Sequence, residues 1–172
     1  DNYDFIGYAY FNYHLNNEDS PTYASRGWKL NINGKYLVPV IKMEDGSRMG
    51  NSIVVRADLD GSIALGKKLS MKLGATVGTS LNGNEPPLSY RFFVGGQSHM
   101  KYFDNIISFD GLKFTQLYGD HIALAKISWQ YNIYKNIYAI ANFNGGYVSD
   151  NYNEWLTDDS FVFGCGLTLG MN

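Results

Sequence analysis

A single cysteine, Cys165, rules out an internal disulfide. It shares one face of an apolar stretch with Phe161, Phe163 and Leu167, which makes it a small filler rather than a nucleophile. Charge is scarce as well. Only 17% of the 172 residues are charged and the formal net charge is −2, so there is no footprint for nucleic acid. No apolar run approaches the roughly 20 residues of a spanning helix. The start, Asp1-Asn2-Tyr3-Asp4, has no basic region followed by an apolar one, so no signal peptide is present. An exported protein needs one, and the expectation is a mature chain or a piece of a longer one.

Metal-binding and catalytic patterns are missing too. His14, His99 and His121 are scattered, with neither His-x-x-x-His nor Cys-x-x-Cys spacing, so no metal and no cofactor are expected. Asp58-Leu59-Asp60-Gly61 imitates part of a calcium loop but lacks the acidic residue that closes one. The nearest approach to Gly-x-Ser-x-Gly is Gly78-Thr79-Ser80-Leu81-Asn82, which lacks the second glycine and precedes a loop. No catalytic residue is assigned, and the chain is not expected to be an enzyme.

What the sequence does have is alternation. In 28–36, Trp28, Leu30, Ile32 and Tyr36 fall on one side of a strand, and Lys29, Asn31, Asn33 and Lys35 on the other. The same rhythm predicts strands over 5–14, 27–40, 52–65, 70–81, 121–133, 137–147 and 160–171. Pro39 sits near the end of the second, where a lost ladder bond costs least. Soluble sandwiches also alternate, but their strands average about five or six residues. Strands of about ten residues, apolar outside and polar inside, fit a transmembrane barrel.

The predicted lipid-facing set is Trp28, Leu30, Ile32, Tyr36, Ile127, Trp129 and Tyr131. The predicted lumen-facing set is Lys29, Lys35, Arg56, Asp58, Asp60, Lys72 and Lys126, a wall of mixed sign that defines no selectivity filter. Tyrosine, at 14 residues against 3 tryptophans, suits the interfacial girdles of such a barrel. Composition alone fits a Tyr-rich soluble β-protein equally well.

The connections sort by length. Tight turns at 66–69 and 134–136 share one rim, and loops at 42–51 (with the turn signal Asp45-Gly46), 82–119 and 149–159 share the other. The polar connection at 15–26 falls on the short-turn rim yet is long for it. The stretch 82–119 is the best functional candidate, because connections of that length are usually functional. Its apolar residues, Tyr102-Phe103 and Ile106-Ile107 through Phe114, would be costly in water. They predict an extracellular loop that folds back into the lumen as a plug or latch, against the simpler case of a loop packed only on itself.

Two motifs carry a family resemblance. Residues 16–28 end in Arg26-Gly27-Trp28 and resemble the periplasmic turn of the bacterial surface antigen family of outer-membrane barrels. Arg91-Phe92-Phe93-Val94-Gly95-Gly96 is similar to the Arg-Phe-x-x-Gly-Gly that opens that family's long extracellular loop. The loop's tip usually reads Val-Arg-Gly-Phe/Tyr; here Phe109-Asp110-Gly111-Leu112 stands at a comparable place without the arginine, so that residue's contact cannot be carried over. The tip and the following Leu117-Tyr118-Gly119-Asp120 look most like the barrels of Bacteroidetes patatin-like phospholipases.

The resemblance spans about residues 5 to 170. It implies an all-β fold, an antiparallel transmembrane β-barrel of which this chain is the C-terminal portion, about seven to eight strands of a larger barrel. Residues 1–172 would then be one incomplete barrel domain, since seven strands are odd in number and too few to close. The end, Gly170-Met171-Asn172, also lacks the terminal aromatic usual in such barrels.

The implied location is the outer membrane of a Gram-negative bacterium. The implied function is to anchor, and to translocate or display, an attached patatin-like lipid acyl hydrolase domain. Its partners are outer-membrane lipid and the rest of its own polypeptide, with a homo-oligomer left open and no nucleic acid. The alternatives are a stand-alone pore or transporter and a soluble β-sandwich or lipocalin-like binder.

Overall fold

The computed structural model describes residues 6–20, 23–39, 50–81, 86–96, 104–154 and 156–171. Seven long strands form one antiparallel sheet: β1 (Ile6–Asn16), β2 (Gly27–Pro39), β3 (Ser52–Ala64), β4 (Leu69–Leu81), β8 (His121–Tyr134), β9 (Ile137–Ser149) and β10 (Phe161–Met171). Between β4 and β8 lie three short strands, β5 (Phe92–Val94), β6 (Ile106–Ile107) and β7 (Leu117–Gly119), which make a small sheet in the order β6-β5-β7. The large sheet runs β1-β2-β3-β4-β8-β9-β10, with β1 and β10 at its edges and no pairing between them among the described residues.

All seven expected strands are present, and β1 extends two residues beyond its predicted end. The three short strands were not expected. Asp45-Gly46, Tyr102, Phe103 and His99 lie outside the described residues.

Register follows from the alternation. Lys29 stands opposite Asp60 and Asn31 opposite Asp58 on one face, while Leu30 opposes Leu59 on the other. A slip of one residue would bring every polar side chain to the apolar face, so the pattern itself specifies the pairing. The polar row continues through Gly74, Lys126, Asn144 and Gly164 on successive strands.

Two of the turns are short. The β3–β4 turn is closed by Leu65 and Gly66 amides donating to Leu69 O (2.9 and 3.1 Å). The β8–β9 turn uses Lys135 at φ +45°, with its carbonyl accepting from Asn132 Nδ2 at 2.8 Å. A bulge at Asn132/Tyr134 precedes it. In β1, Asn12 and His14 lie on the polar face and Ile6 packs towards the core, which fixes the strand's orientation.

The outer face is apolar and exposed: Trp28, Tyr36, Leu59, Ile127, Trp129 and Tyr131 are all open. Leu30 and Ile32 share that face but are half-buried. The inner face is not uniformly polar. Towards the rim that bears the long connection, Leu37, Val54, Ile122 and Leu124 turn inwards. They form the core with Phe92, Val94, Ile107 and Phe109 of the connection. Phe114, in contrast, stays exposed.

Candidate functional site

The long connection lies across the inner face, and its path is set by glycines. Gly95 and Gly96 have φ of +137° and +72°, a left-handed pair that side chains rarely adopt. They turn the chain so that Gly96 O accepts from Phe109 N (2.9 Å) and Gly96 N donates to Leu112 O (3.1 Å). The tip, 109–112, is thereby held beside β5. Phe109 is buried in the core and Leu112 packs against it. Phe92 fills the space above Gly78, where a Cβ would come within 2.7 Å of its ring.

Arg91 fastens the base of the connection. Its guanidinium pairs with Asp120 (3.3 Å) and Asp150 (3.5 Å), and lies 5.8 Å from the centre of the Tyr118 ring. Asn105 Nδ2 donates to Ser89 O and Arg91 O (2.9 and 2.8 Å), which ties β6 to the start of β5.

Two carboxylates join the connection to opposite parts of the wall. Asp104 accepts from Lys35 of β2 at 2.6 Å, and its carbonyl accepts from Arg56 of β3. Asp110 accepts from Lys126 of β8 at 3.0 Å, and from Asn144 of β9 at 3.3 Å. The Asp110 side chain is 3% exposed, that of Lys126 38%. Beyond the tip, Gly164 and Gly166 leave room on the inner face of β10. A Cβ at Gly164 would overlap Asp110 O, and one at Gly166 would lie 2.9 Å from Asp110 Cβ.

The remaining predicted lumen residues pair within the wall. Lys29 meets Asp60 at 3.2 Å, and Asp58 accepts from Arg56 (2.7 and 2.9 Å) and Thr76 (2.7 Å). Lys29–Asp60 and Asp58–Thr76 are ordinary cross-strand partners of the ladder, and Arg56–Asp58 is a same-face pair within β3. Lys72 lines the same cavity. The cavity between connection and wall has a volume of about 800 Å³, and Asn12 of β1 and Thr168 of β10 both border it. Lining residues from both edge strands mean that the sheet curls round it. Among the described residues no group of three or more His, Cys, Asp or Glu gathers to hold a metal.

Of the family-motif residues, Arg91, Phe92, Gly95, Gly96, Phe109, Asp110, Gly111 and Leu112 come together in this one assembly. Arg26 and Gly27 stand apart at the short-turn rim. There Arg26 N donates to Asp19 Oδ1 (3.1 Å), and Gly27, at φ +107°, passes so close to Asn17 that a Cβ would lie 2.5 Å from its carbonyl oxygen. The sequence reading missed Asp104, Asn105, Asn144 and the inner-face glycines. Asn142, Asn144, Gly164 and Gly166 were legible as alternate positions of their strands.

A curled antiparallel sheet, apolar outside and polar inside, with a long connection folded onto its inner face, is the wall of a membrane β-barrel. The family model of the OMP85 superfamily matches residues 1–172, and the chain belongs to that superfamily. It is therefore an outer-membrane β-barrel domain. No curated protein sequence matches the chain significantly. At the tip of the connection the carboxylate of Asp110 meets a cation of the wall, Lys126.

Proposed function

We propose that this domain anchors an attached patatin-like lipid acyl hydrolase in the outer membrane of a Gram-negative bacterium, and helps to translocate or display it. The long connection acts as an internal latch. The observation that carries the reading is the seating of the connection by Asp104 and Asp110 on opposite parts of one wall. A loop held in this way keeps the interior occupied and braces the strands around it. The hydrolase assignment rests on the tip Phe109-Asp110-Gly111-Leu112 and the following Leu117-Tyr118-Gly119-Asp120, and its catalytic serine would lie elsewhere in the polypeptide. In this reading the chemistry belongs to the attached hydrolase, and the domain serves as its anchor. Its partners are outer-membrane lipid, the remaining strands of its own polypeptide and, in an oligomer, a second copy.

The paired charges of the wall favour this reading over a stand-alone pore. Lys29–Asp60, Arg56–Asp58 and Lys126–Asp110 neutralise one another locally, so they offer little field to select an ion. The test is to express the whole polypeptide and follow it into the outer membrane. A heat-modifiable band on gels, a Gly-x-Ser-x-Gly segment upstream and phospholipid hydrolysis lost on replacing its serine are the expected results. A folded monomer recovered in detergent-free buffer would overturn the membrane reading. Large, steady single-channel currents without hydrolysis would favour the pore.

A further inference from the structure

We infer that the β1–β2 connection is a strap that closes the interior at the short-turn rim, opposite the long connection, with Tyr23 as its anchor. The inference rests on the chain being a barrel wall. Two residues, Lys135 and Asn136, suffice to join β8 to β9 at the same rim, whereas residues 17–26 separate β1 from β2. Tyr23 and Ala24 of this connection turn inwards. Ala24, at the end of a polar connection, is only 1% exposed. The Tyr23 ring stacks on Tyr138 of β9 with centroids 4.4 Å apart and planes within 10°. Gln130 of β8 donates to Tyr23 O at 3.4 Å, and a Cβ at Gly170 of β10 would overlap the Tyr23 hydroxyl. The strap thus touches three strands far from its own pair in sheet order.

Its base is stiff. The hairpin ladder continues past β1 through Asn17 N to Trp28 O (3.0 Å) and Asp19 N to Arg26 O (3.1 Å). The Asp19 carboxylate accepts from the Ser25 hydroxyl (2.6 Å), the Ser25 amide (2.8 Å) and the Arg26 amide (3.1 Å). Glu18 accepts from Ser62 of β3 at 3.4 Å, which holds the base to the wall. Tyr23 lies four residues beyond Asp19, a reach of at most ~14 Å. It can meet β9 only because the sheet curls beneath it.

The seat is prepared in the sequence of β10. Its inner face reads Gly164, Gly166, Thr168, Gly170; the first two admit the tip of the long connection and the last admits Tyr23. Glycine in a strand interior weakens the strand and marks a close approach of another chain segment. One strand therefore receives both closures, and the cavity of about 800 Å³ lies between them as a chamber. Whatever crosses the short-turn rim must first lift Tyr23 from Tyr138.

The test uses the whole polypeptide in isolated outer membranes, with Cys165→Ser and any other cysteine replaced. In the Tyr23→Cys/Tyr138→Cys double variant, mild oxidation should give a disulfide-closed species whose gel mobility reverts with reductant. A Tyr23→Cys/Tyr13→Cys control, with its second thiol on the outer face, should not. In a separate Ser128→Cys variant, whose thiol faces the chamber, adding Tyr23→Ala should speed labelling by a membrane-impermeant maleimide by about tenfold, since local opening controls access. No disulfide, or labelling unchanged by Tyr23→Ala, overturns the strap. Failure of the barrel reading is distinguishable, because the protein would then be missing from the outer-membrane fraction and would not be heat-modifiable.

Discussion

Replacing Lys126 with methionine probes the latch most sharply. Its ammonium is 3.0 Å from the Asp110 carboxylate, which is 3% exposed. Removing one partner of a fully buried pair costs about 3–5 kcal/mol, because the other charge is left without compensation. The Lys126 side chain is 38% exposed, so solvent already screens the pair, and the figure falls to about 2 kcal/mol. That corresponds to about a 30-fold rise in opening of the tip.

Hydrogen exchange read by mass spectrometry on peptides spanning 104–112, in lipid nanodiscs, measures it directly. The Phe109 amide, bonded to Gly96 O at 2.9 Å, reports whether the tip is seated. Asp110→Asn removes the charge but keeps groups that can bond Asn144. It should cost about 1 kcal/mol, or about fivefold in protection. The double variant Asp110→Asn/Lys126→Met should be less exposed than Lys126→Met alone, because no buried charge is stranded. Unchanged protection in Lys126→Met, or strictly additive effects in the double variant, would refute the reasoning.

Phe109→Ala should cost about 3–5 kcal/mol in seating of the connection, more than Lys126→Met or Asp110→Asn, by the same exchange measurement. On the outer face, Leu59→Arg should lower folding stability in lipid vesicles by about 2–4 kcal/mol, read by urea titration. Asn12→Arg on the inner face should change it by less than about 0.5 kcal/mol. At the strap, hydrogen bonds from the Ser25 hydroxyl and then the Arg26 amide hold the Asp19 carboxyl below its ordinary value of 3.8. A depressed carboxylate contributes stability above the unfolded value and loses it as pH falls through the folded one. Amide protection over 23–27 should therefore be flat above pH 3.8 and drop only below it, and Asp19→Asn should abolish that acid dependence.

The long strands were legible because each face meets a different medium, so the sequence must change polarity at every residue. Trp28 to Tyr36 shows this throughout, and the ladder agrees. The rhythm fails where both faces are apolar, as at Ile53-Val54-Val55 and Ile122-Ala123-Leu124. Those breaks coincide with the inner core, yet alternation alone assigns them no partner. Long-range pairing is the least legible part. Lys35 and Asp104 lie 69 residues apart, and nothing local in either predicts the other. The strap was visible only as an anomaly, a connection too long for its rim, with no signal that Tyr23 would turn inwards. Short strands such as β6, two residues long, carry no period at all.

The balance of forces on the long connection decides what its charges are for. Phe92, Val94, Ile107 and Phe109 are all buried in the core against Leu37, Val54, Ile122 and Leu124. Burying one such side chain contributes about 1.5–3 kcal/mol, so a single core residue already matches the Asp110–Lys126 pair. Hydrophobic burial therefore drives the connection onto the wall. That force is non-directional, though, and an apolar patch can accept a neighbouring register at little cost. Asp104 and Asp110 supply direction, since each meets a donor on a different pair of strands: Lys35 and Arg56, or Lys126 and Asn144. A shift of the tip by one residue would strand both carboxylates while leaving the apolar contact largely intact. The ion pairs fix where the connection sits, and the core supplies most of the free energy that keeps it there.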